Sequence, residues 1–388
     1  MPKFFAYTRL KNIPLGIGVL RCLLASVVVF AHSQNNEYMI TADVAVQCFF
    51  MISGFYMFLI LNEKYQDIKM FYLNRILRLF PIYLVVLLIS LCIYLFAGDD
   101  GIYVGAVINK YWSETHLLTK VYIIFSNILI IFQDFSYFMG LDRASGTLYL
   151  TDHYGNSIPK LYHFFPITQS WAISLELYFY ILAPFLVRAK LKNIILIFFV
   201  ACCIRYYVIT KLNYDPYNYR FFPGELVFFL GGGLSFKLYY YLSNLDDQVR
   251  FVKYSSSIGI MLSLVIIISI IMFYPITKYL LIKESILYCA FYILTCFALP
   301  FIFLTFKDNK FDKKIGDLSY GIYIVHFLAI NLIYYIFPNI FNNLYLRPDL
   351  ESQGYFGYAV LALSIILAMA LNILIQNPLE KIRIRNVR

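Results

Sequence analysis

The chain has 388 residues, of which 61% are hydrophobic and only 14% are charged, and its formal net charge is +10. A soluble globular domain carries about 25% charged residues, so this composition excludes an ordinary soluble fold. Many apolar runs reach roughly 20 residues, which suits membrane helices, whereas barrel strands alternate in segments of about ten residues. We therefore predict an all-α polytopic membrane protein. The basic residues cluster in particular loops, which indicates membrane orientation rather than nucleic-acid binding.

Ten apolar runs are predicted to cross the membrane as helices. They cover residues 15–35, 44–62, 79–97, 168–187, 193–211, 221–241, 255–273, 280–305, 316–337 and 356–376. Basic residues fill the loop after every second run and both termini, and basic loops of this kind face the cytoplasm. All of these basic loops can face the cytoplasm only if a further apolar stretch, 120–139, does not cross the membrane. We expect both termini in the cytoplasm, and 120–139 as a re-entrant or interfacial element of an external segment, 98–167. Residues 1–388 are predicted to form a single membrane-embedded domain with no appended soluble domain.

The first predicted span contains two polar residues, Arg21 and His32, which lie eleven positions apart. Eleven residues are close to three helical turns, so the two side chains share a helix face and lie about 16 Å apart along the axis. Polar residues inside a membrane usually face a bundle interior or a water-filled cavity. The pair is therefore a candidate reaction site, with the titratable imidazole as its reactive group.

The second span carries a packing motif, and the basic loop after it carries an arginine pair. Ser53–Gly54, inside FFMISGF, predicts the close approach of another helix. Arg75 and Arg78 lie three residues apart on the cytoplasmic side, so they share a helix face. Guanidinium groups bind phosphate oxygens bidentately, which favours a phosphate clamp. An electrostatic anchor at the membrane surface explains the same spacing equally well.

The fourth and ninth predicted spans each contain a polar residue at depth. Glu176 lies about 12 Å below the outer boundary, where a carboxylate either pairs with a cation or takes part in chemistry. Tyr180, one turn later, is placed to hydrogen-bond it, whereas Trp171 fits an interfacial aromatic belt. His326 lies near the middle of its span, where a packing role explains it at least as well as catalysis. Neither the seven cysteines nor the external histidines show metal-ligand spacing, so no metal is expected.

Six motifs in order resemble the integral-membrane acyltransferase 3 family, over residues 10–335. They are Arg21-x10-His32, FFMISGF, Arg75-x-x-Arg78 with Pro81 and Tyr83, WAISLELYFY, ELVFFLGGG and LSYGIYIVH. The family's tryptophan–serine–leucine–glutamate element matches Trp171, Ser174, Leu175 and Glu176, and its serine–tyrosine–histidine element matches Ser319, Tyr320 and His326. Three features depart from the family pattern. Gln47 stands where an aspartate is common, Ala172–Ile173 lengthens the tryptophan element, and Pro378 precedes Glu380 in the altered closing motif.

The resemblance implies ten spans and O-acylation of an extracytoplasmic carbohydrate, with acetyl-CoA as the expected donor. Arg75 and Arg78 would hold the nucleotide phosphates, and Arg21 would line the pantetheine path. His32 would act as general base on a sugar hydroxyl or carry the acyl group itself. Glu176 would orient His32 or His326, and the Tyr- and Phe-rich segment 98–167 would stack on the sugar.

The expected setting is a bacterial inner membrane, with the lipid bilayer, acyl-CoA and a glycan as partners. The glycan would be O-antigen, capsule or exopolysaccharide, or a lipid-linked precursor. Two other classes fit a polytopic chain with basic cytoplasmic loops: a lipid-linked sugar transporter or flippase, and a non-catalytic membrane scaffold. The sequence leaves the oligomeric state open.

Overall fold

The structure is a computed structural model that describes residues 14–33, 38–65, 67–97, 103–244, 248–336 and 355–385. Nearly all of this part is helical. The helices of the first half are α1 (Ile17–His32), α2 (Ala42–Glu63), α3 (Ile68–Ala97), α4 (Tyr103–Tyr111), α5 (Leu117–Leu129), α6 (Trp171–Arg188) and α7 (Leu191–Lys211). Those of the second half are α8 (Tyr217–Arg220), α9 (Phe222–Ser243), α10 (Gln248–Ile271), α11 (Phe273–Leu280), α12 (Glu284–Phe306), α13 (Lys310–Ile336), α14 (Tyr355–Leu371) and α15 (Asn377–Arg385). A small antiparallel hairpin, β1 (Met139–Leu141) and β2 (Leu148–Leu150), lies between α5 and α6.

The long apolar helices make the chain a multi-pass membrane protein. In the described part, eight helices are long and apolar enough to cross a membrane, and α10 with α11, bent by 85° at their junction, form a ninth candidate. Helix α1 is apolar but has 16 residues, fewer than the roughly 20 that a full crossing needs. The count of ten spans therefore stays a prediction. Residues 1–13 and 386–388, on which the placement of the termini depends, lie outside the described residues.

The apolar stretch 120–139 contains no helix of spanning length. Helix α5 has 13 residues, which rise only about 20 Å, and the chain then turns through positive φ angles at Ile130 (67°) and Phe132 (69°). A short 3-10 helix, Asp134–Tyr137, follows. The turn is anchored to α6, since Asp134 accepts hydrogen bonds from the hydroxyls of Ser174 (2.7 Å) and Tyr178 (2.9 Å). This geometry agrees with the prediction that the stretch does not cross the membrane.

Helices α2 and α9 cross with their backbones in direct contact. A Cβ atom on Gly54 would lie 2.0 Å from the carbonyl oxygen of Phe229, and one on Gly232 would lie 1.8 Å from that of Met51. Neither position accepts a side chain, so each helix supplies a glycine to the other. The close packing predicted for Ser53–Gly54 is confirmed, and the glycine-rich ELVFFLGGG motif is its partner.

Helix α1 packs against α2 and α13, and a carboxylate of α13 holds its first turn. Asp312 accepts hydrogen bonds from the backbone amides of Gly16 (2.8 Å), Gly18 (2.9 Å) and Val19 (3.1 Å). Free amides and a positive dipole end make a helix N-terminus favourable for an anion. The contact fixes the end of α1 from which Arg21 projects.

Candidate active site

Two cavities lie along α1, one near each end of the helix. The first, named the arginine cavity, has a volume of about 410 Å³. It collects most of the predicted site residues, from five helices: Arg21, Ser53, Arg75, Arg78, Glu176, Tyr180, Ser319 and Tyr320. Residues that lie up to about 300 positions apart in the chain therefore meet at one site.

Cations outnumber carboxylates in the arginine cavity. Its described lining contains five basic side chains and three acidic ones, namely Arg21, Arg75, Arg78, Lys307, Lys313, Glu176, Asp312 and Asp317. Asp312 is already bound to the α1 amides. A cavity of this volume with this excess of positive charge suits an anionic ligand with several oxygen atoms.

The arginine pair is held by its own helix and by α6. Arg75 is buried, and its guanidinium lies 6.0 Å from the ring centre of Phe71 and 5.9 Å from that of Tyr180. Arg78 is half-buried in the same cavity. By contrast, Arg188 in the next basic loop is exposed and lines neither cavity. Both arginines therefore face the arginine cavity, whereas Arg188 does not.

Glu176 takes its hydrogen bonds inside the arginine cavity. Its Oε1 accepts from the hydroxyls of Ser53 (2.7 Å) and Tyr180 (2.5 Å). The predicted Tyr180 contact is confirmed. The prediction that Glu176 orients His32 or His326 is wrong. Glu176 lines the arginine cavity, whereas the two imidazoles bond to backbone carbonyl oxygens.

Ser319 and Tyr320 complete this cavity from α13. The Ser319 hydroxyl donates to the carbonyl oxygen of Gly316 at 2.7 Å. The Tyr320 hydroxyl donates to that of Leu79 at 2.8 Å, which ties α13 to α3 just beyond Arg78. Both side chains shape the cavity through contacts with backbone.

The second cavity, named the histidine cavity, has a volume of about 330 Å³ and contains the exposed ring of His32. His32 Nδ1 lies 2.8 Å from the carbonyl oxygen of Val28. A carbonyl can only accept, so Nδ1 carries the proton, and Nε2 is the basic nitrogen of the neutral ring. The backbone of α1 therefore sets the tautomer that a general base needs.

His326 supports His32 from the protein interior. It is fully buried, its Nδ1 lies 2.6 Å from the carbonyl oxygen of Tyr323, and its ring centre lies 5.1 Å from that of His32. Phe327 covers His32 from another side, at 4.9 Å between ring centres. His326 does not line the histidine cavity, which favours a packing role.

The opposite wall of the histidine cavity is an aromatic cage around Arg220, which the sequence analysis missed. The guanidinium lies 3.8 Å from the ring centre of Tyr137, 4.3 Å from that of Trp171 and 4.5 Å from that of Tyr219. Asp215 accepts from its Nε at 2.8 Å, and Nη1 is buried without a hydrogen-bond partner. Nη2 donates to the Tyr219 hydroxyl at 2.6 Å, so stacking and hydrogen bonds together hold Arg220 rigidly at the cavity.

Trp171 belongs to this cage and not to a membrane-surface belt. It is buried, with 7% of its surface exposed, and lines the histidine cavity. The prediction of belt membership is therefore wrong, since Arg220 recruits the indole ring. Ser174 lies outside both cavities and anchors Asp134.

The described part of segment 98–167 contributes three rings to the histidine cavity, Tyr137, Tyr154 and Tyr162. Burial shifts the pKa of a carboxyl and of an imidazole in this segment. Burial raises the pKa of Asp134 to about 6. Burial, with the neighbouring Lys160 charge, lowers the pKa of His163 to about 4, so this imidazole is neutral at pH 7.

Gln47 lies outside both cavities, in a buried polar group between α2, α7, α9 and α12. Its Nε2 donates to Glu225 at 3.2 Å, and Arg205 pairs with the same carboxylate at 2.6 Å. Tyr292 donates to the Gln47 amide oxygen. A second carboxylate at position 47 would face Glu225 with one arginine for two buried anions, which is costly. The charges of Glu225 and Arg205 therefore explain why an amide, and not a carboxylate, stands at position 47.

The residues present do not form a metal centre in the part of the chain that the structure describes. No group of three or more His, Cys, Asp or Glu side chains with metal-ligand geometry occurs among these residues. The metal-free mechanism stays a prediction.

The long apolar helices and the two polar cavities between them define a multi-pass membrane protein with an internal site. A family profile described as an acyltransferase domain (Acyl_transf_3) matches residues 15–375. The chain therefore belongs to the acyltransferase 3 family, as the order of its motifs predicts.

Two relatives extend the comparison. An uncharacterized protein of Aquifex aeolicus (strain VF5) is 27% identical over 231 residues, which cover 56% of this chain and 89% of that protein. A provisionally named O-acetyltransferase of Staphylococcus aureus (strain COL) is 24% identical over 196 residues, 49% of this chain and 27% of that protein. The aligned region thus spans about a quarter of the staphylococcal protein. No solved structure matches the chain significantly.

Proposed function

We propose that this protein transfers an acetyl group from cytosolic acetyl-CoA to a hydroxyl of an extracytoplasmic polysaccharide or lipid-linked glycan. The membrane would be the inner membrane of a bacterium. One observation carries the proposal: a cationic cavity and a cavity with a basic imidazole lie along the same helix and are in contact. The donor is made on one side of a membrane and the acceptor lies on the other, so the enzyme needs a cavity for each.

The arginine cavity is the proposed donor site. Arg75 and Arg78 would bind the nucleotide phosphates of acetyl-CoA bidentately, with the pantetheine arm running past Arg21 towards the second cavity. The cavity's excess of cations supports this assignment. The positive-inside rule places the same end of the bundle on the cytoplasmic side.

The histidine cavity is the proposed acceptor site. Tyr137, Trp171, Tyr219 and Arg220 line this cavity, and the edges of their cage would contact a sugar and its hydroxyls. In the reaction, His32 Nε2 takes the proton of the attacking hydroxyl, and the hydroxyl oxygen bonds to the thioester carbon. The carbon–sulfur bond breaks, and the proton passes to the leaving thiolate of CoA. A protein-bound acyl group trapped in the absence of glycan would instead indicate that His32 carries the acyl group.

The donor site is tested by acetyl-CoA binding to the purified protein. Arg75→Ala and Arg78→Ala each remove charged hydrogen bonds worth about 1.5–3 kcal/mol, so the Kd should rise roughly 10- to 100-fold for each. Arg188→Ala removes an exposed arginine from the same side of the bundle and serves as the control. If all three variants bound acetyl-CoA with the wild-type Kd, Arg75 and Arg78 would have only an anchoring role.

The reaction is tested with inverted membrane vesicles that contain the glycan, supplied with radiolabelled acetyl-CoA. Label should enter the glycan in an acetyl-CoA-dependent way, which a flippase or a scaffold does not produce. His32→Ala should lower the rate about 10²- to 10⁴-fold and leave acetyl-CoA binding intact. His116→Ala removes an exposed imidazole that lines neither cavity and should leave the rate unchanged.

A further inference from the structure

Two side chains, Val46 of α2 and Tyr323 of α13, line both the arginine cavity and the histidine cavity. No other residue in the described part of the chain is shared by the two cavities. Only 5% of the surface of Val46 and 8% of that of Tyr323 is exposed. The two cavities are therefore neighbours, separated at one point by two side chains, which we name the dividing wall.

Neighbouring helices show how thin this wall is. Along α13, Tyr320 lines the arginine cavity, Tyr323 lines both, and Phe327 lines the histidine cavity. Along α2, Asp43 lines the histidine cavity and Phe49 the arginine cavity, with Val46 between them. Residues about one helical turn apart thus face different cavities on both helices. One turn rises about 5.4 Å, so the wall is one layer of side chains thick.

Tyr323 is held in place by a reciprocal contact. Its hydroxyl donates to the carbonyl oxygen of Gln169 at 2.9 Å, and Gln169 Nε2 donates to the carbonyl oxygen of Ile324 at 2.7 Å. Phe49 packs edge-on against the tyrosine ring, 6.2 Å between centres. Val46 is β-branched and has one preferred rotamer in a helix. Both parts of the wall are therefore fixed rather than adaptable.

We propose that Val46 and Tyr323 form the acyl-length filter of the enzyme. The proposal rests on the proposed function: the thioester carbon has to reach this wall from the arginine cavity for a hydroxyl in the histidine cavity to attack it. The methyl of an acetyl group needs little room beside the two side chains. A longer acyl chain has to displace Val46 or break the contact between Tyr323 and Gln169. The wall therefore restricts the donor to acetyl-CoA and rejects longer acyl-CoA thioesters.

The filter is tested by the butyryl-to-acetyl ratio of glycan labelling, in inverted vesicles supplied with radiolabelled butyryl-CoA or acetyl-CoA. Val46→Ala should raise this ratio roughly 10-fold or more, the discrimination that small changes in a hydrophobic pocket provide. Tyr323→Phe keeps the ring and removes the hydroxyl contact, and it should raise the ratio as well. Tyr323→Phe still tests the filter if Val46→Ala fails to accumulate in the membrane.

Val44→Ala is the matched control, because Val44 is a buried valine of the same helix as Val46 and lines neither cavity. Its ratio should stay within about twofold of the wild-type value, a change well below that of one methylene in a fitted pocket. The filter is overturned if Val46→Ala and Tyr323→Phe both keep the wild-type butyryl-to-acetyl ratio, or if Val44→Ala raises that ratio equally. Absence of acetyl labelling by the wild-type protein would instead overturn the proposed function on which the filter rests.

Discussion

Asp312→Ala removes the carboxylate that holds the first turn of α1 and so tests how Arg21 is positioned. In the structure, Asp312 accepts from the amides of Gly16, Gly18 and Val19 at 2.8, 2.9 and 3.1 Å. The contact joins positions almost 300 residues apart. Alanine leaves all three amides without this acceptor, and no side chain of α1 caps the helix in its place.

The loss of stability follows from the burial of these amides. The Gly16 and Gly18 contacts are buried, and a buried donor left unsatisfied costs about 1–3 kcal/mol. Loss of an anion at a helix N-terminus adds about 0.3–1 kcal/mol. The expected destabilisation is therefore about 2–7 kcal/mol, a large part of the stability of an ordinary protein. Asp312→Asn keeps a carbonyl acceptor without the charge and should lose less.

Thermal unfolding of the purified protein in detergent, followed by circular dichroism, measures this effect. At roughly 2 °C per kcal/mol, Asp312→Ala should lower Tm by about 5–15 °C. Asp308→Ala, an exposed carboxylate at the end of α12, should leave Tm almost unchanged. Equal Tm values for the two alanine variants would refute the capping role of Asp312.

Three further predictions concern other parts of the structure. The pKa of Asp134 is about 6 in the fold against an ordinary value of 3.8, so the contribution of this carboxyl to stability is full below pH 3.8 and falls by about 3 kcal/mol as the pH rises through 6. Asp134→Asn should flatten this slope in unfolding measured across that window. Gly232→Ala should abolish accumulation of folded protein, because its Cβ would lie 1.8 Å from the Met51 carbonyl oxygen, whereas Gly224→Ala meets nothing closer than 3.8 Å and should accumulate normally. Arg220→Lys keeps the charge but loses the planar stack and the fork of donors, so the KM for the glycan should rise about tenfold while acetyl-CoA binding stays unchanged.

Helical spacing explains why much of the arginine cavity was predictable. Arg75 and Arg78 share a helix face, as do Glu176 and Tyr180, and the structure brings all four to the arginine cavity. These pairs depend only on the period of one helix. The partner of Glu176 was not predictable, because Ser53 belongs to another helix and the packing of α2 against α6 decides the contact.

The Arg220 cage shows what local patterns miss. Its members Tyr137, Trp171 and Arg220 come from three separate segments, so no spacing within one element indicates them. One signal was present: Arg220 lies in a loop predicted to be external, where the positive-inside rule disfavours arginine. Such an exception marks a residue that is retained for a contact rather than for orientation. The burial of Trp171, which the sequence predicts to be a belt residue, follows from the same contact.

Under the proposed function, this protein acetylates a surface glycan through His32. Mass spectrometry can compare the glycan from cells with the wild-type protein, with His32→Ala at equal membrane abundance, and without the protein. We expect an acetyl group on the glycan repeat in the wild type and none in the other two. The same acetyl content in all three would show that this protein does not acetylate the glycan.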